Sequence, residues 1–431
     1  MPKYILLALL IFTAGAIRAQ QIDVGADIRN RAEYRNGFGT LMRDTSEAAA
    51  FITQRARLVF DYRDKNLKLR LSPQNVRVWG DVTTNSRFDI GNSFHEAWGE
   101  AFVNKYLSFK VGRQELDYDD QRIFGSVDWL MQARSHDALL FKVTPDTIHT
   151  VHIGLALNAN KETNFKENYL VPQYKALQFL WYHGQFKNTG LSFLLLNNGV
   201  VYNNAGKDKI AYSQTIGSRV THKAGKFSGD AATYLQSGKI NVNNVNTLYL
   251  AAYGNYKSAP SVSTGIGFEY LSGKGNTDPS TDIKSFNPFY GTNHKFNGYM
   301  DYFYVGNHIN SVGLLDVYFD VAYEKNKFLI RLTPHYFQSA AALYAAGVKQ
   351  DSHLGTEVDI TLGYKLLSNV SLSAGLSQMF ATSSMEVLKG GNKSNDNNWG
   401  YLTVVFNPKI FSYTDKKNDT QSEQQHGGRE H

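Results

Sequence analysis

The stretch Ile22-Asp23-Val24-Gly25-Ala26-Asp27-Ile28-Arg29-Asn30-Arg31-Ala32-Glu33-Tyr34-Arg35 decides the fold. Its even positions carry Ile22, Val24, Ala26, Ile28, Ala32 and Tyr34, and its odd positions carry Asp23, Asp27, Arg29, Arg31, Glu33 and Arg35. That is the two-residue period of a strand, with one face apolar and the other charged. A second segment repeats it, setting Ile52, Ala56, Leu58, Phe60 and Tyr62 against Arg55, Arg57, Asp61 and Arg63. A half-buried sheet in water would alternate too, but so dense a charged face needs a water-filled interior, which points to a barrel with lipid outside.

Working outward, short turn signals recur near Asp64-Lys65-Asn66, Asn104-Lys105, Thr144-Pro145-Asp146, Lys187-Asn188-Thr189-Gly190, Ala224-Gly225-Lys226, Ser258-Ala259-Pro260, Lys325-Asn326 and Ser368-Asn369. Between them lie longer polar stretches at 37–50, 80–93, 117–136, 158–172, 199–210, 237–244, 272–310, 339–352 and 382–397. Short and long connections alternate, which predicts an all-β, closed antiparallel transmembrane barrel of about 18 strands, with short periplasmic turns and long extracellular loops. No recurring motif accompanies the spacing, as a propeller or solenoid would require.

Composition agrees. Aromatics make up 13% of the chain, with 26 Tyr, 26 Phe and 36 Gly against 9 Pro, a balance that suits strands and tight turns. Lys3, the apolar run Tyr4 to Ile17 and Ala19 read as a signal peptide over 1–19, so the barrel is expected over 20–413 and a solvated hydrophilic tail over 414–431. The chain has no cysteine, which removes disulfides, Cys-based metal sites and a lipid-anchored Cys. Past the leader no run approaches the length of a membrane helix. The net charge of +7 suits an anionic partner, and export argues against nucleic acid.

Arginine is concentrated: 13 of the 17 fall between Arg29 and Arg134. Strand phase turns Arg31, Arg55 and Arg57 inward, with Arg29, Arg35, Arg63, Lys68 and Arg70. A bulge at Pro73 would reset the phase so that Arg77 also faces the lumen. Acidic residues accompany them, including Asp61, Glu96, Glu100, Asp119, Asp120, Asp128 and Asp137. Two readings stay open for each arginine: a brace paired to a carboxylate across the lumen, or part of an electropositive constriction that attracts anions. The run Gly112-Arg113-Gln114-Glu115-Leu116, with Tyr118-Asp119-Asp120-Gln121-Arg122-Ile123-Phe124-Gly125, Trp129, Gln132 and Arg134, is too polar for lipid and is expected to fold into the lumen or line it. No spaced oxygen-ligand loop follows Asp119-Asp120, so no metal site is read there.

These segments resemble the alginate-export family of outer-membrane porins. The likeness rests on Gln74-Asn75-Val76-Arg77-Val78-Trp79-Gly80, on His95-Glu96-Ala97-Trp98-Gly99-Glu100-Ala101, and on the run from Gly112 to Asp137. A fainter echo is Asn287-Pro288-Phe289-Tyr290-Gly291 with Gly298-Tyr299-Met300-Asp301. The resemblance implies a monomeric barrel passing an anionic oligo- or polysaccharide, an alginate-like polyuronate, with periplasmic export components as possible partners. It would place Arg77, Arg113, Arg122 and Arg134, with Glu96, Glu100, Asp119 and Asp120, in the pore wall. A general or other substrate-specific porin, or a non-transporting adhesin, remains the alternative. No Gly-x-Ser-x-Gly, His-Glu-x-x-His or Walker pattern argues for an enzyme, and no cofactor is called for.

Overall fold

The computed structural model describes residues 21–89, 91–165, 167–169 and 173–415. The predicted leader and most of the predicted tail lie outside them. The chain forms an 18-stranded closed antiparallel barrel. Its strands are β1 Gln21–Asn36, β2 Ala49–Arg63, β3 Leu67–Val78, β4 Asn92–Phe102, β5 Leu107–Gln114, β6 His136–Val143, β7 His149–Leu157, β8 Ala176–Phe186 and β9 Thr189–Asn204. They continue as β10 Lys207–Ala224, β11 Phe227–Ile240, β12 Thr247–Ala259, β13 Val262–Leu271, β14 Leu314–Lys325, β15 Phe328–Gln338, β16 His353–Leu367, β17 Val370–Ala381 and β18 Asn397–Phe406. No helix among the described residues is long and apolar enough to cross a membrane.

Each strand pairs with its neighbours in sequence, and β18 closes on β1 in the register Ile28↔Phe406 to Asn36↔Asn398. Past Pro408 the strand resumes as Lys409–Thr414 and pairs with the start of β1, Gln21↔Thr414 to Val24↔Phe411. One end of the barrel carries the predicted short turns. The other carries the long connections, with two exceptions. The segment at 199–210 is strand on both sides of a turn at 205–206, since Val201↔Ile210 and Tyr202↔Lys209 continue the ladder. Likewise β11 runs on to Ile240, where Lys239 and Ile240 pair with Asn244 and Asn243. Asparagine-rich composition disguised both as loop.

Alternation places Leu58, Phe60, Leu69, Leu71, Phe109, Phe141, Ile153 and Phe193 outside, exposed as a lipid-facing band requires. The interior is not a simple water-filled tube. Leu116, Phe124, Phe286, Met300, Tyr302, Phe303 and Trp399, nearly all from two long connections and fully buried, form an apolar core inside the barrel.

Candidate functional site

Those two connections build the constriction. The 115–135 connection enters the lumen and sweeps along the wall. Glu115 Oε1 meets His95 Nε2 of β4 at 2.8 Å, Tyr118 OH meets His152 Nδ1 of β7 at 3.0 Å, and Trp181 Nε1 of β8 donates to Asp119 Oδ2 at 3.1 Å. Arg122 reaches the far wall, pairing with Glu269 of β13 and donating to Asn297 Oδ1 at 3.1 Å. The chain then returns. Asp128 accepts from Arg29 and from Arg55 at 2.8 Å each, Arg31 donates to the Trp129 carbonyl at 2.7 Å, and Gln74 donates to the Gln132 carbonyl at 3.0 Å.

The 272–313 connection meets it from the opposite side. Phe124 and Tyr290 form a parallel bridge, Gly125 N donates to the Tyr290 carbonyl at 2.9 Å, and Thr292 N donates to the Gln121 carbonyl at 2.9 Å. Trp129 stacks on His294 with ring centroids 4.2 Å apart. The second connection is latched to carboxylates on the wall. Asn297 donates to Glu269 at 2.9 Å and to Asp316 at 3.2 Å, Tyr299 N to Asp359 at 3.2 Å, and Met300 N to Glu357 at 2.8 Å. Non-glycine residues with left-handed backbone cluster here: Asp119, Gln121, Val127 and Ala133 in the first connection, Phe289, Asn297, Asp301 and Tyr304 in the second. Val127, at φ 52°, is the most strained because its side chain is β-branched. Such conformations persist only where surrounding contacts over-determine them, and the shared hydrogen bonds do so here.

The lumen has two chemically different walls. Strands β1 to β5 carry Arg29, Arg31, Arg35, Arg55, Arg57, Arg70 and Lys110, interleaved with the carboxylates Asp27, Glu33, Asp61, Glu96 and Glu100. Strands β11 to β16 carry Asp230, Glu269, Asp316, Asp320, Glu357 and Asp359, of which Glu269, Asp316, Asp320, Glu357 and Asp359 are buried. Beside the constriction, on the acidic side, a chamber of about 450 Å³ is lined by Arg219, Lys295, Arg331, Asp120, Asp230 and Asp320 with Tyr249, Tyr253, Tyr299 and Tyr318.

Three of the predicted pore arginines, Arg31, Arg55 and Arg122, are braces. Arg31 is buried, bonded to Glu33 at 2.9 Å and lying 3.9 Å over the Trp129 ring. Arg55 is wholly buried between Asp128 and Asp27, and Arg122 is sealed against Glu269. Glu96 takes Trp98 Nε1 at 2.8 Å and Arg70 at 3.1 Å, while Glu100 takes Ser108 at 2.8 Å and Lys142 at 3.0 Å. Asp120 lies 3.6 Å from Arg219.

Four cations differ. Arg57 is held by Gln74 Oε1 at 3.0 and 2.7 Å, Arg134 by the Gly291 carbonyl at 3.1 Å, Lys295 by the Asp120 carbonyl at 2.8 Å, and Lys110 sits 3.9 Å over the Trp98 ring. None of the four has a carboxylate within ion-pair distance among the described residues. Lys110 and Lys295 escaped sequence reasoning, which followed arginine; the alternation of β5 would have exposed Lys110, but nothing in sequence marks Lys295.

Two predicted pore residues lie outside the pore. The irregularity near Pro73 falls on the partner strand: Ser72 pairs with Glu96 and Pro73 with Phe94, leaving His95 of β4 as the extra residue. The phase of β3 is therefore unbroken. Gln74 stays inward beside Arg57, whereas Arg77 faces outward opposite Gln54, bonded to Asn75 at 2.8 Å and paired with Asp89. On β5 the inward positions are Ser108, Lys110, Gly112 and Gln114, so Arg113 points outward to Asp137 at 3.2 Å.

The carboxyls of the constriction shift in opposite directions. Burial raises Asp119, and it raises Asp117 with the charge of Glu115 adding in the same direction. Burial would raise Asp128 as well, but Arg29 and Arg55 outweigh it and hold that carboxyl below its ordinary range.

The barrel and its inner constriction define the fold of an outer-membrane porin. No known family profile and no curated protein matches the chain. Among solved structures, OccAB4 of Acinetobacter baumannii superimposes with a TM-score of 0.64 at 12% identity, over 92% of this chain and 99% of that one. OccK3 (OpdO) of Pseudomonas aeruginosa gives 0.62 at 12% identity, over 90% and 96% of the two chains. OpdK of Pseudomonas aeruginosa, crystallised with vanillate, gives 0.61 at 10% identity, over 91% and 99%. At these identities the likeness is one of fold. It supports the porin level of the resemblance read from the sequence and does not single out the alginate-export family.

Proposed function

We propose that this protein is a passive diffusion channel of a bacterial outer membrane, selective for small anionic organic solutes. One observation carries the reading: Arg57, Lys110, Arg134 and Lys295 keep their charge unneutralised by an ion pair beside a lumen that two joined connections narrow. In a confined, low-dielectric passage such charges draw anions in, and arginine keeps its charge at any relevant pH. The chamber is large enough for one small organic molecule, and its paired charges and tyrosines suit a carboxylate attached to a ring. Since the barrel closes on its own strands, one chain completes the pore.

The arginine-rich first third, with its likeness to alginate-export porins, makes uronate monomers and short oligouronates the sugars to test. The Phe124–Tyr290 junction joins two connections inside the lumen, and such a narrowing favours the substrate-specific diffusion channel over the polymer exporter. The vanillate bound to OpdK adds aromatic carboxylates to the panel.

The test is single-channel recording in planar bilayers, with reversal potentials in asymmetric salt and block by aromatic carboxylates, uronates, neutral sugars and long polyuronate. Anion preference, with block by the small acids only, is the expected outcome. Cation preference, or equal indifference to every solute, would refute it.

A further inference from the structure

The outward face of the barrel is not equally apolar all the way round. On β16, counted from the short-turn end, the outward positions are Leu366, Tyr364, Leu362, Ile360 and Val358, before Thr356. On β5 they are Leu107, Phe109 and Val111, and the next is Arg113; on β6 they are Val143, Phe141 and Leu139, and the next is Asp137. Each two-residue step along a strand tilted by about 40° climbs about 5 Å. The apolar run therefore rises about 20 Å on β16 but only about 10 Å on β5, in a class of barrels whose lipid band is about 25 Å tall.

The ion pair that ends the short run is open to the surroundings: the side chains of Arg113 and Asp137 are 43% and 65% exposed. Arg113 Nε donates to the Phe94 carbonyl at 2.9 Å and Nη1 to Asp137, while Nη2 has no protein acceptor among the described residues. Arg77 shares this outward face two strands away, three outward positions farther from the short turns than Leu71, which lines up with Arg113 through Ala97. A second, independent feature flanks the sector. The 79–91 connection exposes Trp79 and Phe88, and the 158–175 connection exposes Phe165 at 84%. Aromatic rings so bare are unfavourable in water and at home in the headgroup layer of a membrane.

We propose that the outer surface of the bilayer dips over β3 to β6, so that phosphorylated lipid headgroups reach Arg77 and descend as far as Arg113 while Phe88 and Phe165 seat in the boundary layer on either side. A guanidinium with a free N–H edge matches a phosphate oxygen, and a thinned leaflet removes the mismatch that an ion pair in hydrocarbon would create. The inference rests on the membrane reading above and is independent of what the pore carries.

The chain has no cysteine, so single cysteines report cleanly. Ala97 stands opposite Arg113 in register and faces outward without touching the ion pair's charge; Ile360 is the fourth outward position on β16, as Arg113 is on β5. Ala97→Cys and Ile360→Cys, each labelled with a depth-sensitive fluorophore, are placed in phosphatidylcholine–phosphatidylglycerol vesicles. Quenching by headgroup nitroxides is then compared with quenching by acyl-chain nitroxides. The Ile360 label is expected to be quenched several-fold better from the acyl chain, and the Ala97 label better from the headgroup. Adding Arg77→Gln and Arg113→Gln should move the Ala97 label toward the acyl pattern. If the Ala97 label is as deep as the Ile360 label with both arginines present, the dip does not exist. An Ile360 label in water would instead overturn the membrane reading itself, and this proposal with it.

Discussion

Arg55, wholly withdrawn from solvent on β2, bonds Asp128 at 2.8 Å, and through that contact the 115–135 connection is fastened to the wall. Arg29 shares the same carboxylate at 2.8 Å, and Asp27 of β1 pairs with both arginines as well, so two carboxylates balance two guanidiniums. Asp128→Asn leaves both cations undercompensated and should loosen the connection by about 1–3 kcal/mol, discounted from a fully buried pair because Asp128 is half exposed. Larger and noisier single-channel conductance is the expected result; unchanged current traces would show that the pair does not hold the constriction.

The same carboxyl predicts a pH dependence. Its pKa is lowered in the folded protein, so its contribution to docking is complete above the ordinary aspartate value of about 3.9 and is lost as pH falls through the lower folded value. Open-channel noise should stay constant from about pH 8 to pH 5 and rise only below about pH 4. Noise that grows already near neutrality would contradict the assignment.

Asp117 and Asp119 shift the other way, raised chiefly by burial, and lose their negative charge at higher pH than an ordinary carboxyl. Acidification should therefore strengthen anion preference at a pH above that at which ordinary carboxyls titrate. Asp117→Asn with Asp119→Asn should show the stronger preference already at neutral pH and respond little to acid. A wild-type reversal potential that is flat above the ordinary carboxyl range, measured beside the double variant, would rule out a role for these two groups in the ion path.

The junction of the two connections depends on absent side chains. A methyl group on Gly291 would press on the carbonyl of Arg122 and lie 2.8 Å from that of Gln121, and one on Gly125 would lie 2.8 Å from Thr292 N. Backbone atoms cannot yield as a flexible side chain can. Gly291→Ala should cost about 1–3 kcal/mol, part the two connections and raise conductance. Limited proteolysis of the 115–135 connection provides a second readout, with faster cleavage than in the unaltered protein.

Charge selectivity should follow the inner arrangement alone. Arg57→Gln combined with Lys110→Gln is expected to reduce the anion-to-cation permeability ratio several-fold, with the effect shrinking at high salt as screening shortens. Arg77→Gln with Arg113→Gln, on the outer face, should leave that ratio as it was. The reverse pattern would refute the assignment of strand faces.

Sequence periodicity revealed the barrel because alternation is local: Asp23 to Arg35 on one face and Ile22 to Tyr34 on the other require nothing beyond the strand itself. The same rule, applied without interruption, would have turned Arg77 outward, as it turns Arg113, which the polar run from Gly112 and the family resemblance, not strand phase, assign to the lumen. It went astray at Arg77 because Pro73 marks an irregularity whose extra residue lies on the neighbouring strand, at His95, and pairing partners are not visible in one strand's pattern. The inward fold of the 115–135 connection was legible from its mixture of charge and aromatics. Its counterpart at 286–304 was not, because the positions that matter there, Tyr290, Asn297 and Met300, act by contacts with Phe124, Glu269 and Glu357 that only the closed barrel creates.

The seam between β1 and β18 joins the earliest described strand to the last, and the resumed segment Lys409–Thr414 secures its lower half. Contacts so distant along the chain are the slowest to find, since the entropy of closing the intervening loop must be spent before the ladder repays it. Until the final hairpin arrives, β1 offers a bare edge of unpaired amides, and every partly assembled sheet carries that hazard. Assembly is thus expected to be held back until the whole chain is present and then to finish in one cooperative step. A chain cut before β18 should populate aggregates, with no smaller barrel among the products.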